Sequence, residues 1–377
     1  MDKQKLLVWI KKILPVFYFL LGGGLCVYIA LRTRLWLNLI LKVETGYVVG
    51  GLMIAFFIMS ACVEKKYLVA SGRIRTYIAG ISTFVVMYLL IAIAASDLIQ
   101  SLLNLVITDR LIREKIFFLS GFVCLFFVVI ITGYAYHKTK VIKEVNEHLS
   151  YPKMQGHCRM ILLSDLHIGY YVGVEHIRNI VKKINFLDAD MVVIAGDLIN
   201  AGNTRECPEI DEVAKLLSQI RSKEGTYAIV GNHDPKVTDS DFLTFLNTSH
   251  ITLLDDSIYT NGRFHLIGRH TCEEERKTMD ELEEGLSDRL PVFVLDHDPM
   301  GISEAADAGA DLILCGHTHR GQVFPLNLFV RILYSKQEFW GRSKVKDSDV
   351  IVSAGAGYFS MPMRLGSDCE LICLDIN

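Results

Sequence analysis

The sequence predicts an α/β domain preceded by a bundle of membrane-spanning helices. Two observations lead to this division. Four long apolar runs occupy the first 136 residues or so, and from about Arg159 short apolar runs alternate with amphipathic segments. Each of the main later runs ends in glycine or polar residues, as strands do when a site lies at the carboxyl edge of an α/β sheet.

The four apolar runs cover about residues 13–31, 46–63, 76–95 and 116–136, and none contains a charged residue. Each is close to the ~20 residues that a helix needs to cross a bilayer. A cleaved signal peptide would explain the first run but not the other three. We therefore predict that residues 1–136 form a transmembrane anchor of four helices.

Charge and cysteine content predict the location of the chain. The N-terminal tail, the second loop and the segment after the fourth run carry eleven Lys and Arg residues, against six on the opposite side. The positive-inside rule then places both termini, and the catalytic domain, on the cytoplasmic side of the inner membrane. The nine cysteines form no Cys-x-x-Cys pair, which favours buried thiols in a reducing compartment. A net charge of −3 gives no basic field for nucleic acid.

After the anchor, residues 137–156 form a predicted basic connector, with Lys138, Lys140 and Lys143 near anionic headgroups. Residues 157–377 form the predicted catalytic domain. Its apolar spacing predicts strands at 160–163, 191–195, 227–230, 252–254, 258–260, 264–267, 291–295 and 311–315, and helices at 174–187, 209–221, 240–246 and 273–286.

Five of these strands are followed by side chains of the types that bind metals. The predicted ligands are Asp165, His167, Asp197, Asn232, His297, His317 and His319. They offer carboxylate, imidazole and amide oxygen but no thiolate, a set that suits Mn²⁺, Fe or Zn²⁺ better than a softer metal. Seven ligands are too many for one tetrahedral ion and about right for two ions that share a carboxylate.

The order of these motifs carries a resemblance. Asp-x-His, Gly-Asp, Gly-Asn-His-Asp, a later His after an apolar strand, and Gly-His-x-His together resemble the calcineurin-like metallophosphoesterase family over roughly residues 157–377. The sequences Gly316–Gln322 and Pro362–Gly366 are similar to those of its membrane-associated bacterial phosphodiesterase branch. Arg320 stands where relatives often have glycine.

The resemblance implies a sandwich of two β-sheets flanked by helices. It also implies one metal ion, preferably Mn²⁺, on Asp165, His167, Asp197 and His319, and a second on Asp197, Asn232, His297 and His317. A hydroxide shared by the two ions would attack the phosphorus atom. His233 would contact the phosphate and protonate the leaving oxygen. Asp234 would orient the His233 ring or be a local turn residue, and Arg320 would bind phosphate or lie at the surface.

The segment after the site bears on the substrate. Residues 324–334 are strongly apolar, and basic residues follow up to Lys346. This pattern fits either a packed helix with a polar loop or a cap that dips into the membrane beside the site. The second interpretation favours a lipid-linked substrate, with UDP-diacylglucosamine, which some relatives hydrolyse, as the leading example. The alternatives are a phosphodiesterase for soluble nucleotides and a non-catalytic metal-binding scaffold.

Overall fold

The computed structural model describes Gly24 and residues 27–36, 72–200, 202–204, 207–272 and 275–377. The chain divides into two compact units, Met1–Tyr134 and Ala135–Asn377. Two long helices, α1 and α2, cover Gly72–Leu103 and Arg110–Lys138.

The first unit contains α1 and most of α2. Thr76–Leu103 and Arg110–Lys138 are both long and apolar enough to cross a membrane, and the predicted spans 76–95 and 116–136 lie within them. Residues 27–36 are also helical and include the end of the predicted span 13–31. Most of that span, and all of the span 46–63, lies outside the described residues, so the four-helix anchor stays a prediction.

The second unit is built on two six-stranded mixed sheets. The first sheet has the order β1-β12-β2-β3-β4-β5, and the second has the order β10-β11-β9-β8-β7-β6. The strands are β1 Ile142–Leu149, β2 Cys158–Leu163, β3 Met191–Ala195, β4 Thr226–Ile229, β5 Ile251–Leu253, β6 Ser257–Thr260, β7 His265–Gly268, β8 Val292–Leu295, β9 Leu312–Cys315, β10 Gly341–Val345, β11 Ser348–Val352 and β12 Cys369–Ile376.

Five helices of this unit each bury one face: α3 Val174–Phe186, α4 Ile210–Leu217, α5 Ser240–Thr248, α6 Met279–Glu283 and α7 Ile302–Ala308. Two further helices, α8 Leu326–Leu333 and α9 Lys336–Phe339, have no buried residue. Side chains from both sheets form one buried core, which includes Leu162, Val193, Leu266 and Phe293. A second core lies between the outer face of the second sheet and helices α6 and α7. The fold implied by the resemblance, two sheets flanked by helices, is confirmed.

Strand β1 corrects the prediction that residues 137–156 are a connector. It lies within the predicted connector 137–156 but pairs in parallel with β12 along its whole length, from Ile142 opposite Cys369 to Leu149 opposite Ile376. This part of the connector is therefore the edge strand of the first sheet and belongs to the folded domain.

Candidate metal centre

The carboxyl ends of five strands supply the site. Strands β2, β3 and β4 of the first sheet, and β8 and β9 of the second, each end two or three residues before the first predicted ligand that follows. In a parallel arrangement such ends meet at one edge. The structure brings all seven predicted ligands into one cluster: Asp165, His167, Asp197, Asn232, His297, His317 and His319.

Glycines make room for this approach. Gly196 directly precedes Asp197 with a φ of 80°, and a Cβ there would lie 2.6 Å from Nδ1 of His297. A Cβ on Gly231 would overlap Oδ1 of Asp197. Because real Cβ atoms do not approach so closely, the Gly-Asp and Gly-Asn-His-Asp motifs require glycine for the ligands to meet.

One group of donor atoms forms around His167 and His319. Their Nε2 atoms lie 2.9 Å apart. Nε2 of His319 is 3.5 Å from Oδ1 of Asp165, and Nε2 of His167 is 3.5 Å from Oδ2 of Asp197. The three residues Asp165, His167 and His319 can surround a single ion.

A second group forms around His297. Its Nε2 lies 3.2 Å from Oδ1 of Asn232, 3.2 Å from Nδ1 of His317 and 3.3 Å from Oδ2 of Asp197. Its Nδ1 donates a hydrogen bond of 2.8 Å to the carbonyl oxygen of Ala195, which turns Nε2 toward the cluster. Oδ2 of Asp197 thus borders both groups of donors.

Burial and mutual charge shift the pKa values of the cluster. Burial lowers the pKa of His167 to about 3 and that of His319 well below its ordinary value. Burial raises the pKa of Asp165. Burial alone would lower the pKa of His297, but the carboxylate of Asp197 outweighs it and raises that pKa to about 10. Burial alone would raise the pKa of Asp197, but the interaction with His297 holds it below its ordinary value.

This donor set fits two divalent cations. Burial disfavours the charged forms of His167 and His319, so each ring can offer one nitrogen lone pair, and their Nε2 atoms lie 2.9 Å apart. Buried carboxylates and lone pairs crowded in this way are stabilised by a cation. Nitrogen and oxygen donors suit Mn²⁺, Fe or Zn²⁺. Two groups of residues can each surround an ion, Asp165 with His167 and His319, and Asp165 with Asp197 and His297, and the allocation implied by the resemblance stays a prediction.

The three other predicted site residues, His233, Asp234 and Arg320, differ in their contacts. The His233 ring lies 5.2 Å from the ring of His167, and its backbone N–H donates to Oδ1 of Asp197. Asp234 does what the turn alternative describes, because its two oxygens accept from the backbone N–H groups of Ile199 and Gly231 at 2.7 and 2.9 Å. The guanidinium of Arg320 lies over the Trp340 ring, 3.7 Å from its centroid. A role for Arg320 in binding substrate stays a prediction.

Two residues that the sequence did not single out border the site. The Phe359 ring lies 4.5 Å from His233 and 5.1 Å from His167. Arg364 is fully buried and donates to the carbonyl oxygens of His319 and Gly357 at 3.1 and 2.6 Å. The signal that could have revealed Arg364 was its place in the late Pro-x-Arg-x-Gly sequence, since an arginine amid apolar residues is rarely buried without partners.

Gln322, in the Gly-His-Thr-His-x-Gly-Gln sequence, fixes the loop that carries Phe359. Its Oε1 accepts from the Phe359 N–H at 2.8 Å, and its Nε2 donates to the Phe359 carbonyl oxygen at 2.7 Å. The side chain thus satisfies both backbone groups of one residue and holds the aromatic ring beside His233.

Comparisons with known proteins agree with this site. The calcineurin-like phosphoesterase family matches residues 158–321. A "Transmembrane protein with metallophosphoesterase domain" from Bos taurus is 32% identical over 252 residues, covering 60% of this chain and 54% of that protein. An "Uncharacterized metallophosphoesterase" from Helicobacter pylori is 29% identical over 243 residues, covering 62% of this chain and 63% of that protein. The chain thus spans between half and two thirds of the length of these relatives.

A solved NAD nucleotidase from Haemophilus influenzae overlaps 54% of this chain and 46% of its own, with a TM-score of 0.36 and 15% identity, too low to bear on fold or activity. The family match, in contrast, covers residues 158–321, which include all seven predicted ligands. Residues 158–321 of this chain match the calcineurin-like phosphoesterase family and form the core of a metallophosphoesterase domain.

Proposed function

We propose that this chain is a membrane-anchored hydrolase that uses two divalent metal ions to cleave a phosphoester or pyrophosphate bond in a lipid-linked substrate. The observation that carries the proposal is the pair of donor groups that meet at Oδ2 of Asp197, within 3.5 Å of His167 and 3.3 Å of His297.

The side chains have separate tasks in this reaction. Asp165, His167 and His319 would hold one ion, Asn232, His297 and His317 would hold the other, and Asp197 would contribute to both. Such a pair of ions would supply an activated water molecule and offset the charge that develops on the phosphoryl oxygens. The preferred ion is Mn²⁺, with Fe or Zn²⁺ as alternatives that the donor set accepts equally.

His233 is the candidate general acid. Its backbone is fixed by the hydrogen bond to Asp197, and its ring packs against Phe359 at a centroid distance of 4.5 Å. The side chain is only partly buried, so it can contact a phosphate group and give a proton to the leaving oxygen. The Asp234 carboxylate accepts from two backbone N–H groups, and the Phe359 ring is the neighbour that packs against the His233 ring.

The lipid-linked substrate is supported by the surroundings of the site. The apolar helix α8 follows His319 by a few residues and has no buried residue, and α1 and α2 are long enough to cross a membrane. A substrate such as UDP-diacylglucosamine would offer both a pyrophosphate bond and acyl chains. The excess of basic residues on one side of the apolar runs, together with free, mostly buried cysteines, supports a cytoplasmic catalytic domain.

The test is metal-dependent hydrolysis by the full-length protein in lipid nanodiscs. The substrates are bis(p-nitrophenyl) phosphate, p-nitrophenyl phosphate and UDP-diacylglucosamine, each with added Mn²⁺. We expect turnover that falls by at least about a hundredfold in Asp197→Asn and His233→Ala. His148→Ala, which changes an exposed histidine on β1, serves as the matched control and should keep full activity.

The substrates separate the alternatives. Faster hydrolysis of the acylated substrate than of soluble nucleotide diesters supports the lipid-linked assignment, and the reverse order contradicts it. A metal-loaded protein that hydrolyses none of the substrates contradicts the enzymatic proposal and favours a binding scaffold.

A further inference from the structure

Among the residues that the structure describes, helix α8 exposes an apolar surface that no core covers. None of its eight residues is buried. Phe329 is 62% exposed, and Ile332 and Leu333 are each 79% exposed. Phe324, Leu326 and Leu328 add further exposed apolar area next to them. We call Phe324–Leu333 the apolar ridge. Within the described residues this exposure favours the cap alternative over the packed-helix alternative, because a packed helix would bury one of its faces.

The apolar ridge is fixed at the edge of the metal centre. Gly321 packs so closely on α8 that a Cβ there would overlap Cα of Asn327. At the other end of the ridge, the Tyr334 ring lies 6.1 Å from the ring of His317. Both ends of the helix are therefore held beside metal-ligand histidines, and a surface that binds the ridge also lies beside the site.

The charges next to the ridge are basic. Arg331, in the last turn of α8, and Lys336, in α9, are both exposed. The acidic residue of this segment, Glu338, accepts from the Ser335 N–H in a capping box. Exposed apolar side chains bordered by basic residues match the surface of anionic lipids.

We propose that the apolar ridge inserts into the surface of the lipid bilayer and holds the mouth of the metal centre against the headgroups. This inference rests on the membrane-anchored function proposed above. A helix of eight residues is only about 12 Å long, too short to supply the ~800 Å² per partner of a typical stable protein interface, so a second copy of the chain fits the ridge less well. The chain also passes from α2 to β1 within three residues, Lys138 to Ile142.

A fluorescence experiment on the full-length protein tests the insertion. A polarity-sensitive dye is attached to Ile332→Cys in a Cys272→Ser background, which removes the exposed native thiol of the described residues. The protein is placed in nanodiscs of phosphatidylethanolamine and phosphatidylglycerol, with or without a lipid that carries a quencher on its acyl chain. The matched control is Phe186→Cys on α3, where the native side chain is 86% exposed.

We expect the dye at position 332 to emit at shorter wavelength and to be quenched by the modified lipid, while the dye at position 186 is not. The background protein without an introduced cysteine corrects for labelling of other thiols. Equal, unquenched emission at both positions overturns the proposal. A dye at 332 that is shielded from water but not quenched by lipid also overturns it and points to a second copy or another protein.

A kinetic arm separates this inference from the proposed activity. In Ile332→Glu/Leu333→Glu, turnover of the acylated substrate in nanodiscs should fall by about tenfold or more, while hydrolysis of bis(p-nitrophenyl) phosphate is unchanged. Phe186→Glu should alter neither. An equal loss on both substrates, or on neither, contradicts insertion. If the unaltered protein hydrolyses nothing, the proposed activity fails, and the quenching result still decides whether the ridge meets the bilayer.

Discussion

At the scale of single residues, five of the seven predicted ligands have a backbone conformation that residues other than glycine rarely adopt. Their φ values are positive: Asp165 51°, His167 47°, Asp197 54°, His317 73° and His319 50°. Such conformations cost free energy and persist only where the surroundings impose them. Here backbone hydrogen bonds impose them, such as those from the N–H groups of Asp165 and His167 to the carbonyl oxygens of Gly196 and Asp197. Backbone hydrogen bonds of the fold thus position these predicted ligands.

The close approach at Gly231 gives the first prediction. In Gly231→Ala the added methyl group overlaps Oδ1 of Asp197, so the bridging carboxylate must move away from both donor groups. We expect the protein to lose metal, measured by elemental analysis after gel filtration, and to lose at least about a hundredfold in turnover. Gly133→Ala is the control, because a Cβ at Gly133 meets no atom within 4 Å. A Gly231→Ala protein that keeps its metal content would show that the overlap can relax.

Gln322 gives a second prediction. Gln322→Glu keeps the size of the side chain but replaces the donor to the carbonyl oxygens of Phe359 and Met361 with an acceptor. The Phe359 ring then loses its place beside His233. We expect alkyl phosphodiesters, whose leaving group needs a proton, to lose about tenfold more turnover than p-nitrophenyl esters, which do not. Gln219→Glu, at an exposed position, should leave this ratio unchanged. Equal losses on both substrates would show that Gln322 does not act through His233.

The sequence could indicate the ligands because each follows an apolar strand, and strand ends converge in an α/β fold. It could not indicate Phe359. That residue lies in an irregular stretch between β11 and β12, and its position depends on hydrogen bonds with Gln322, which lies 37 residues earlier. The sequence also could not decide between the two roles considered for Asp234. That choice depends on which N–H groups donate to its carboxylate oxygens in the folded chain.

At the scale of elements, the sequence did not indicate four of the strands, β1, β10, β11 and β12, and β1 shows one reason. Its residues alternate between partly buried and exposed positions and include Lys143, Glu144, Glu147 and His148, so they suggest a polar connector. An edge strand with one solvated face has this composition. The helix predicted at 273–286 is also shorter in the structure: α6 begins after Thr278, whose capping box with Glu281 fixes its start.

The pairing of β1 predicts where the domain can be cut. A fragment of residues 137–377 keeps all eight pairs between β1 and β12, whereas a fragment of residues 150–377 exposes β12 as an unprotected edge. We expect the shorter fragment to unfold at a clearly lower urea concentration and to aggregate, as measured by circular dichroism and light scattering. Equal midpoints for the two fragments would mean that β1 adds nothing to the sheet.

At the scale of the whole domain, the metal centre joins the two sheets. Asp165, His167, Asp197 and Asn232 follow strands of the first sheet, and His297, His317 and His319 follow strands of the second. Ions held by both sets would connect the sheets at their carboxyl edge, while the apolar core connects them over their facing surfaces.

Removing the metal should therefore weaken the contact between the sheets. We expect a chelator to lower the melting temperature of the full-length protein and to speed hydrogen exchange in the loops after β2, β3, β4, β8 and β9, because ions that bind only the folded state stabilise it. Asp197→Asn is the control, since its melting temperature should respond little to the chelator. An unaltered protein with the same melting temperature with and without metal would contradict this link.

The short passage from α2 to β1 has a consequence for how substrate is found. Residues 139–141 are all that separate the two elements, and three residues span at most about 11 Å. If α2 spans the membrane as we propose, a domain on so short a tether cannot leave the surface to sample bulk solution, and its search for substrate is two-dimensional. Turnover in the cell would then follow the number of substrate molecules per unit of membrane area, and diluting the membrane with inert lipid would slow the enzyme even when the total amount of substrate is unchanged.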